Sequence, residues 1–449
     1  MSSDVEPRIA AWRAAIQRDT RLPAENLQEL EDHLRDELDG LREKGLTDDE
    51  ALLVAVKRMG STNDVARELA RVDADRMWRH FFETGESAGQ PASRGLFWVI
   101  GAALLAAALG KVPLLFGVSM MDTGFEVYLR NLSLFVVPIL MAGYCIRNRV
   151  PLPIAVVLVT TVVASALAVN LYPFRAGGAT SFLVAVHLPL LLWLGFGLAY
   201  TGEDWRTVRA PLDFIRFSGE MFLYAVLILC GGVVLVGLVV VFFTAVGIPV
   251  ASFAMEYLGF SILLATPVIA AYLVENKRSL IENLAPVLAR IFIPLFLLMM
   301  VAFIGAVAVQ RQNIMANRDM LITIDLLLLL VVGMVLYDLS ARPESQGFSL
   351  PHVLNLALIL AALVIDSIAL YGIAGRLGEY GFSPNKTAAL GENVLLAVNL
   401  IGLAVAYVRV ALGKATFARV LEWQVRYLPV YFVWMVFMVF GLPVVFRFR

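Results

Sequence analysis

The chain has 449 residues, of which 59% are hydrophobic and only 16% charged, with a formal net charge of −1 and a mean hydropathy of +0.77. Soluble domains carry about a quarter charged residues, so this composition excludes an ordinary soluble protein, and the absence of a basic surplus argues against nucleic acid as a partner. The two cysteines, Cys145 and Cys230, both lie in apolar runs, which leaves no disulfide framework and no Cys/His metal spacing.

The charge is unevenly divided. Residues 1–95 carry 14 Lys+Arg against 20 Asp+Glu, a balance of −6, and residues 96–449 carry 22 against 17, a balance of +5. An acidic head thus precedes an apolar body with basic edges. Residues Met1 to Pro7 offer neither a basic n-region nor an apolar run, which predicts no cleavable signal peptide and a head on the cytosolic side.

The head, residues 1–83, is predicted to be four helices. The first, Val5–Arg18, carries Ile9, Trp12 and Ile16 on one stripe. In the second, from Pro23 to Gly45, Leu27, Leu30, Leu34, Leu38 and Leu41 step by three or four, the period of an amphipathic helix. Thr47-Asp-Asp-Glu50 is a capping box that opens the third, with Leu52, Val56 and Met59 inward. The fourth starts at Ser61 or Thr62, turns Val65, Leu69 and Val72 inward, and continues through Met77, Trp78, Phe81 and Phe82 towards the membrane interface, where aromatic rings are favoured. Charges such as Glu29, Glu31, Asp32, Arg35, Asp36 and Asp39 crowd the other faces. They form either a solvated surface with i,i+4 pairs or a docking face for a cytosolic protein partner. His33, among these carboxylates, reads as a surface residue. Residues 84–95, rich in Gly, Ser and Pro, read as a linker.

The body, residues 96–449, is predicted to be all-α and to cross a membrane repeatedly, since a span needs roughly 20 mostly apolar residues. Eleven runs qualify: Leu96–Gly117, Leu132–Ile146, Pro151–Leu171, Phe182–Tyr200, Glu220–Val246, Tyr257–Val274, Ile291–Gln310, Leu321–Tyr337, Val353–Tyr371, Asn393–Val410 and Leu428–Phe446. The first is interrupted by Lys111 and Pro113 and the second is short, so ten is the alternative count. With the head inside, the inner loops hold 13 Lys+Arg and the outer side 9, the sign that the positive-inside rule requires. Three inner connectors, Glu203–Arg216, Lys277–Arg290 and Lys414–Tyr427, mix charge with aromatic and aliphatic residues. Each is either a short helix lying in the interface or an extension of the adjoining span.

A charge in the middle of a span costs about 2.5–3.5 kcal/mol on insertion scales, so each is a functional lead. Asp325, Asp366 and Lys111 lie within the predicted spans, with Glu220 opening the fifth and His187 inside the fourth. Asn170, Asn355 and Asn399 add hydrogen-bonding capacity. His187 precedes Pro189 and is expected to bond a carbonyl that the proline frees. Between the ninth and tenth runs lies the polar stretch from Arg376 to Asn393, which includes Glu379 and Lys386. Gly378 and Gly381 allow sharp turns there, and Ser383-Pro384 reads as an N-cap followed by proline in the first helical turn. Asp325, Asp366, Lys111, Arg376, Glu379 and Lys386 are the candidate intramembrane polar site. Either the two aspartates face a polar cavity and bind or relay cations, or pair with Lys111 or Arg376, or they tie helices together as structural groups. No nucleophile elbow, Walker loop, metalloprotease motif or metal knot is present, so neither catalytic residues nor a cofactor is predicted. Gly231-Gly232 is read as a point of close helix packing.

Two resemblances add to this reading. Leu30-Glu-Asp-His-Leu-Arg-Asp-Glu-Leu38, Gly45-Leu-Thr-Asp-Asp-Glu-Ala51 and Ala55-Val-Lys-Arg-Met-Gly60 resemble the small cytosolic permease prefix domain, which is similar to the helical domain called HAAS. Arg376 to Gly391, with Tyr-Gly-Phe-Ser-Pro-Asn-Lys in its middle, and Glu422-Trp-Gln-Val-Arg-Tyr-Leu-Pro429 resemble the multi-pass family called domain of unknown function 4153. The resemblance implies a bacterial cytoplasmic membrane protein and supplies neither a substrate nor catalytic residues. The expected function is therefore transporter-like or permease-like, acting on a small solute or lipid, with a regulatory or partner-docking head. The alternative is an envelope sensor or scaffold that recruits a cytosolic partner.

Overall fold

The computed structural model describes residues 92–121, 124–276, 284–310, 318–340 and 349–449, together with scattered positions between Ile9 and Ala55. The chain divides into two compact units, Met1–Pro91 and Ala92–Arg449.

In the first unit Ile9, Leu34, Leu38, Leu41, Ala51 and Ala55 form one buried cluster, with Val54 against it. The leucines stand at the predicted helical spacing. Arg35 reaches back one turn to Glu31 at 2.9 Å, and the Thr47 carbonyl accepts from the Ala51 N–H at 2.8 Å, where the third helix was expected to open. The small residues Ala51 and Ala55 provide its inward contacts. Trp12, Ile16, Leu27, Leu30, His33, Leu52, Val56, Met59, the whole predicted fourth helix and residues 84–91 of the linker lie outside the described residues.

The second unit is all-α, a polytopic membrane architecture. Among its described residues eleven helices are long and apolar enough to cross a membrane: α1 Leu96–Leu115, α2 Phe125–Arg147, α3 Leu152–Leu171, α4 Ala179–Arg206, α5 Arg209–Ala245, α6 Ala251–Asn276, α7 Phe292–Val309, α8 Leu321–Ser340, α9 Leu350–Tyr380, α10 Pro384–Ala411 and α11 Ala418–Val445. They pack as two halves, each around its own apolar core. One core unites α1 to α6, with Leu188, Leu191, Leu192 and Phe196 of α4 at its centre. The other unites α7 to α11, with Leu358, Ile359, Ala362 and Ile365 of α9 at its centre. The halves meet where α4 packs on α10 and α11 and where α5 packs on α8. Large apolar side chains such as Phe222, Leu227, Val233 and Phe242 on α5 are exposed, as lipid-facing residues can be when the surrounding solvent is hydrocarbon.

Eight of the eleven described spans outrun their predicted runs at one end or both. α2 begins at Phe125 and absorbs a 3-10 turn over Leu132–Phe135, and α1 starts inside the predicted linker, its helix opening at Ala92. The connectors are extensions rather than separate interfacial helices. Apart from a 3-10 turn at Gly202–Arg206, the first becomes the opening turns of α5 from Arg209. Ala418–Tyr427 belongs to α11 and buries Val420, Leu421, Gln424 and Tyr427. Leu284 onward continues into α7, while residues 277–283 lie outside the described residues. At 37 residues α5 is about 55 Å long, against a hydrocarbon core of about 30 Å, so its polar N-terminal turns reach beyond the apolar layer.

Candidate functional site

The polar stretch from Arg376 to Asn393 is nearly all helix. α9 runs to Tyr380 and α10 starts at Pro384, which leaves Gly381, Phe382 and Ser383 as the only connection. Gly381 adopts φ +67°, a left-handed conformation that glycine takes without penalty; Gly378 is helical. Ser383 caps α10 by accepting from the Lys386 N–H at 3.5 Å. Lys386 Nζ donates to the carbonyls of Gly381 at 2.7 Å and Arg376 at 3.4 Å and lies over the Tyr380 ring, 5.4 Å from its centroid. A cation thus closes the carbonyl end of α9, where the helix dipole favours it. Lys386 is a capping group, and Glu379 is exposed beside it.

Lys111 stands apart from the carboxylates. It donates to the Glu256 carbonyl and lies over the rings of Tyr257 and Phe260 at 4.6 and 5.5 Å. Glu256 in turn accepts from Ser119 Oγ at 3.0 Å and the Met120 N–H at 3.3 Å. This cluster pins the kink of α1 to a π-turn at Ala254–Gly259 in α6. Among the described residues neither Lys111 nor Arg376 pairs with Asp325 or Asp366. Arg376 Nη1 is buried without a partner.

The two aspartates lie on neighbouring helices, α8 and α9, and Asp325 is joined to Asn393, next to a Glu392–His187 contact. Asp325 on α8 accepts from Asn393 Nδ2 on α10 at 2.7 Å. The residue before it, Glu392, meets His187 of α4, with Nε2 to Oε1 at 2.6 Å. Asp325 is within electrostatic reach of Glu392, and Asp366 on α9 is within reach of Asp325. Four groups from four helices therefore form a series across the junction of the two halves. His187 and Glu392 each sit eight residues into their helices, about 12 Å from the helix start. Asp366 is 14 residues before the end of α9, about 21 Å in and near the middle of that helix.

Burial makes the series chemically unusual. Asp366 is 1% exposed, and among the described residues its Oδ1 has no hydrogen-bond partner; the Oδ1 of fully buried Asn393 has none either. A buried polar atom without a partner costs about 1–3 kcal/mol on mutational data. Both orphans are acceptors, so the cluster is short of donors. His187 also corrects an expectation: its Nδ1 bonds the Leu183 carbonyl at 2.7 Å, one turn back on its own helix, rather than the carbonyl of Ala185 that Pro189 frees.

Other buried polar groups tie helices together, although Asn355 Oδ1, like Asp366 Oδ1, has no hydrogen-bond partner among the described residues. Asn355 donates to Asp338 Oδ2 at 2.6 Å and to Tyr407 Oη at 3.3 Å, joining α9 to α8 and α10. Asn399 exchanges hydrogen bonds with Gln424, donates to Tyr431 Oη at 2.9 Å and accepts from Trp423 Nε1 at 3.0 Å, joining α10 to α11. Glu275 binds Tyr144 and Arg147 where α6 and α2 end. Asp338 escaped notice because the eighth run was ended one residue before it. Glu392 falls in the polar stretch just before the tenth run, and the signal that points to it is its place eight residues after Pro384, the first residue of α10, the depth at which His187 lies in α4.

The fold and these buried polar series define an integral, multi-pass membrane protein. Comparison with protein-family models, with curated proteins and with solved structures returns no match. The likenesses of the head and of the 376–391 and 422–429 segments thus rest on the residues quoted for them.

Proposed function

We propose that this is a transporter-like, non-enzymatic protein of a bacterial cytoplasmic membrane, its N-terminus in the cytosol, and that the series from Glu392 and His187 through Asp325 to Asp366 lies on its transport path. The observation that carries this reading is Asp366: a carboxyl in mid-span, 1% exposed, with a buried oxygen that has no partner among the described residues. Groups inserted at such expense mark ion and substrate pathways. Asn355, Asn399 and Gln424 bond across helices and serve packing; Asn355 Oδ1 also lacks a partner among the described residues, but an amide does not ionise, whereas the Asp366 carboxyl can. The capping box read from Thr47 to Glu50 and the Glu31–Arg35 pair of the first unit support a regulatory or partner-docking role for it, and its likeness to permease prefix domains fits that position. The test is solute and ion flux through the full chain in proteoliposomes. Flux that falls at least tenfold with Asp366→Asn supports the reading; flux indifferent to that change removes Asp366 from the path.

A further inference from the structure

The geometry points to the proton as the ion of this site, with the His187–Glu392 pair as the station that hands protons to Asp325 and Asp366. This rests on the transport reading above and deepens it. The first support is a matter of hydrogen bookkeeping. A carbonyl can only accept, so the contact of Nδ1 with the Leu183 oxygen requires a hydrogen on Nδ1. Nε2 is then either the bare acceptor of a neutral ring or the second donor of an imidazolium. Its partner at 2.6 Å is a carboxyl oxygen. A bare nitrogen facing a bare carboxylate would be two acceptors in contact, so one proton must lie between them. The pair is neutral imidazole with carboxylic acid, or imidazolium with carboxylate, and the two forms differ only in which atom holds the proton.

The second support is the spare acceptors further in. Asp366 Oδ1 and Asn393 Oδ1 are buried with no donor facing them, so an added hydrogen meets a vacant lone pair. Asp325 keeps one oxygen for Asn393 Nδ2 and has a second for a proton. Among the described residues no hydrogen bond joins Glu392 to Asp325 or Asp325 to Asp366, so each transfer runs through a bridging water. One O–H bond forms on the receiving carboxyl, the N–H or O–H bond of the donor breaks, and the water is left as it began. No oxidant or co-reactant is needed.

A metal cation fits less well. Sodium or a divalent ion needs several oxygens converging on one point, and among the described residues no three His, Cys, Asp or Glu side chains gather to hold one. The carboxyls are strung across three helices instead, the arrangement of a relay. The charged and titratable groups that bear on the pair are Asp325 of α8 and, behind it, Asp366 of α9. On the α2 side Arg130 donates to Ser181 of α4 at 3.2 Å and lies over Phe174. α11 brings the apolar wall of Met438 and Leu442.

Infrared difference spectroscopy of the full chain in lipid tests this without knowledge of any solute. Lowering the pH should produce carboxylic-acid C=O bands that shift in heavy water. Asp366→Asn should remove one, Glu392→Gln another, and His187→Gln should displace the pH at which the Glu392 band appears. Sodium, potassium or calcium added at fixed pH should leave the bands unchanged. Loss of the bands on adding one of these cations would overturn the proposal, as would identical titrations in the wild type and both carboxyl variants. Each variant is first shown to be monodisperse, and His187→Gln, which leaves every carboxyl in place, guards against a variant that misfolds. Such a failure would leave the transport reading standing, since that is decided by flux.

Discussion

At the scale of single residues, buried groups in this protein are of two kinds. Asn355 and Asn399 have partners on neighbouring helices, so they hold the bundle together. Asn355→Ala leaves Asp338, 4% exposed, without its amide, and should lower stability by about 1–3 kcal/mol, read as an earlier thermal unfolding in detergent. Shape acts at the same scale. A methyl group on Gly402 would stand 1.9 Å from Trp423 Cζ2, and one on Gly391 1.9 Å from Trp434 Cη2. The glycines are eleven residues apart, as are the tryptophans, so two indoles of α11 bed into two notches of antiparallel α10. Gly402→Ala should cost about 1–3 kcal/mol by overpacking, and Gly402→Ala with Trp423→Leu should recover part of that loss in the same melting experiment.

At the scale of elements, the sequence made the apolar centres of the helices legible and hid their ends. Hydropathy finds residues that sit in hydrocarbon, but a helix continues beyond it for as long as its backbone bonds can be made. α9 and α10 together enclose the polar stretch because Lys386 closes one carbonyl end and Ser383 opens the next helix. The Ser383-Pro384 start could be read from the chain, since capping is local. The depth of Glu392 could not be read from composition, since nothing in a single helix tells which neighbour it faces. Ser383→Ala should destabilise the α9–α10 turn by about 1 kcal/mol, seen as faster amide hydrogen exchange confined to residues near 380–388. Uniform protection across that turn would show that the cap is dispensable.

At the scale of the molecule, two helical halves with separate cores share a junction that holds both apolar packing and the His187–Glu392 contact. The membrane class follows from composition alone, since 59% hydrophobic residues in long runs have no other home. The expected site was only partly legible: Asp325 and Asp366 stand on adjacent helices α8 and α9, whereas Lys111 belongs to the α1–α6 cluster and Lys386 to a helix cap. Long-range partners are set by tertiary packing, which a one-dimensional pattern does not encode.

The central claim is that Asp366 serves function at the expense of stability, and thermal unfolding of the full-length protein with Asp366→Leu addresses it most directly. Leucine of similar bulk removes a buried oxygen that has no partner, so the variant should unfold later, with a gain of about 1–3 kcal/mol. A variant that unfolds earlier by a similar amount would show the carboxyl to be a structural tie and would contradict the account.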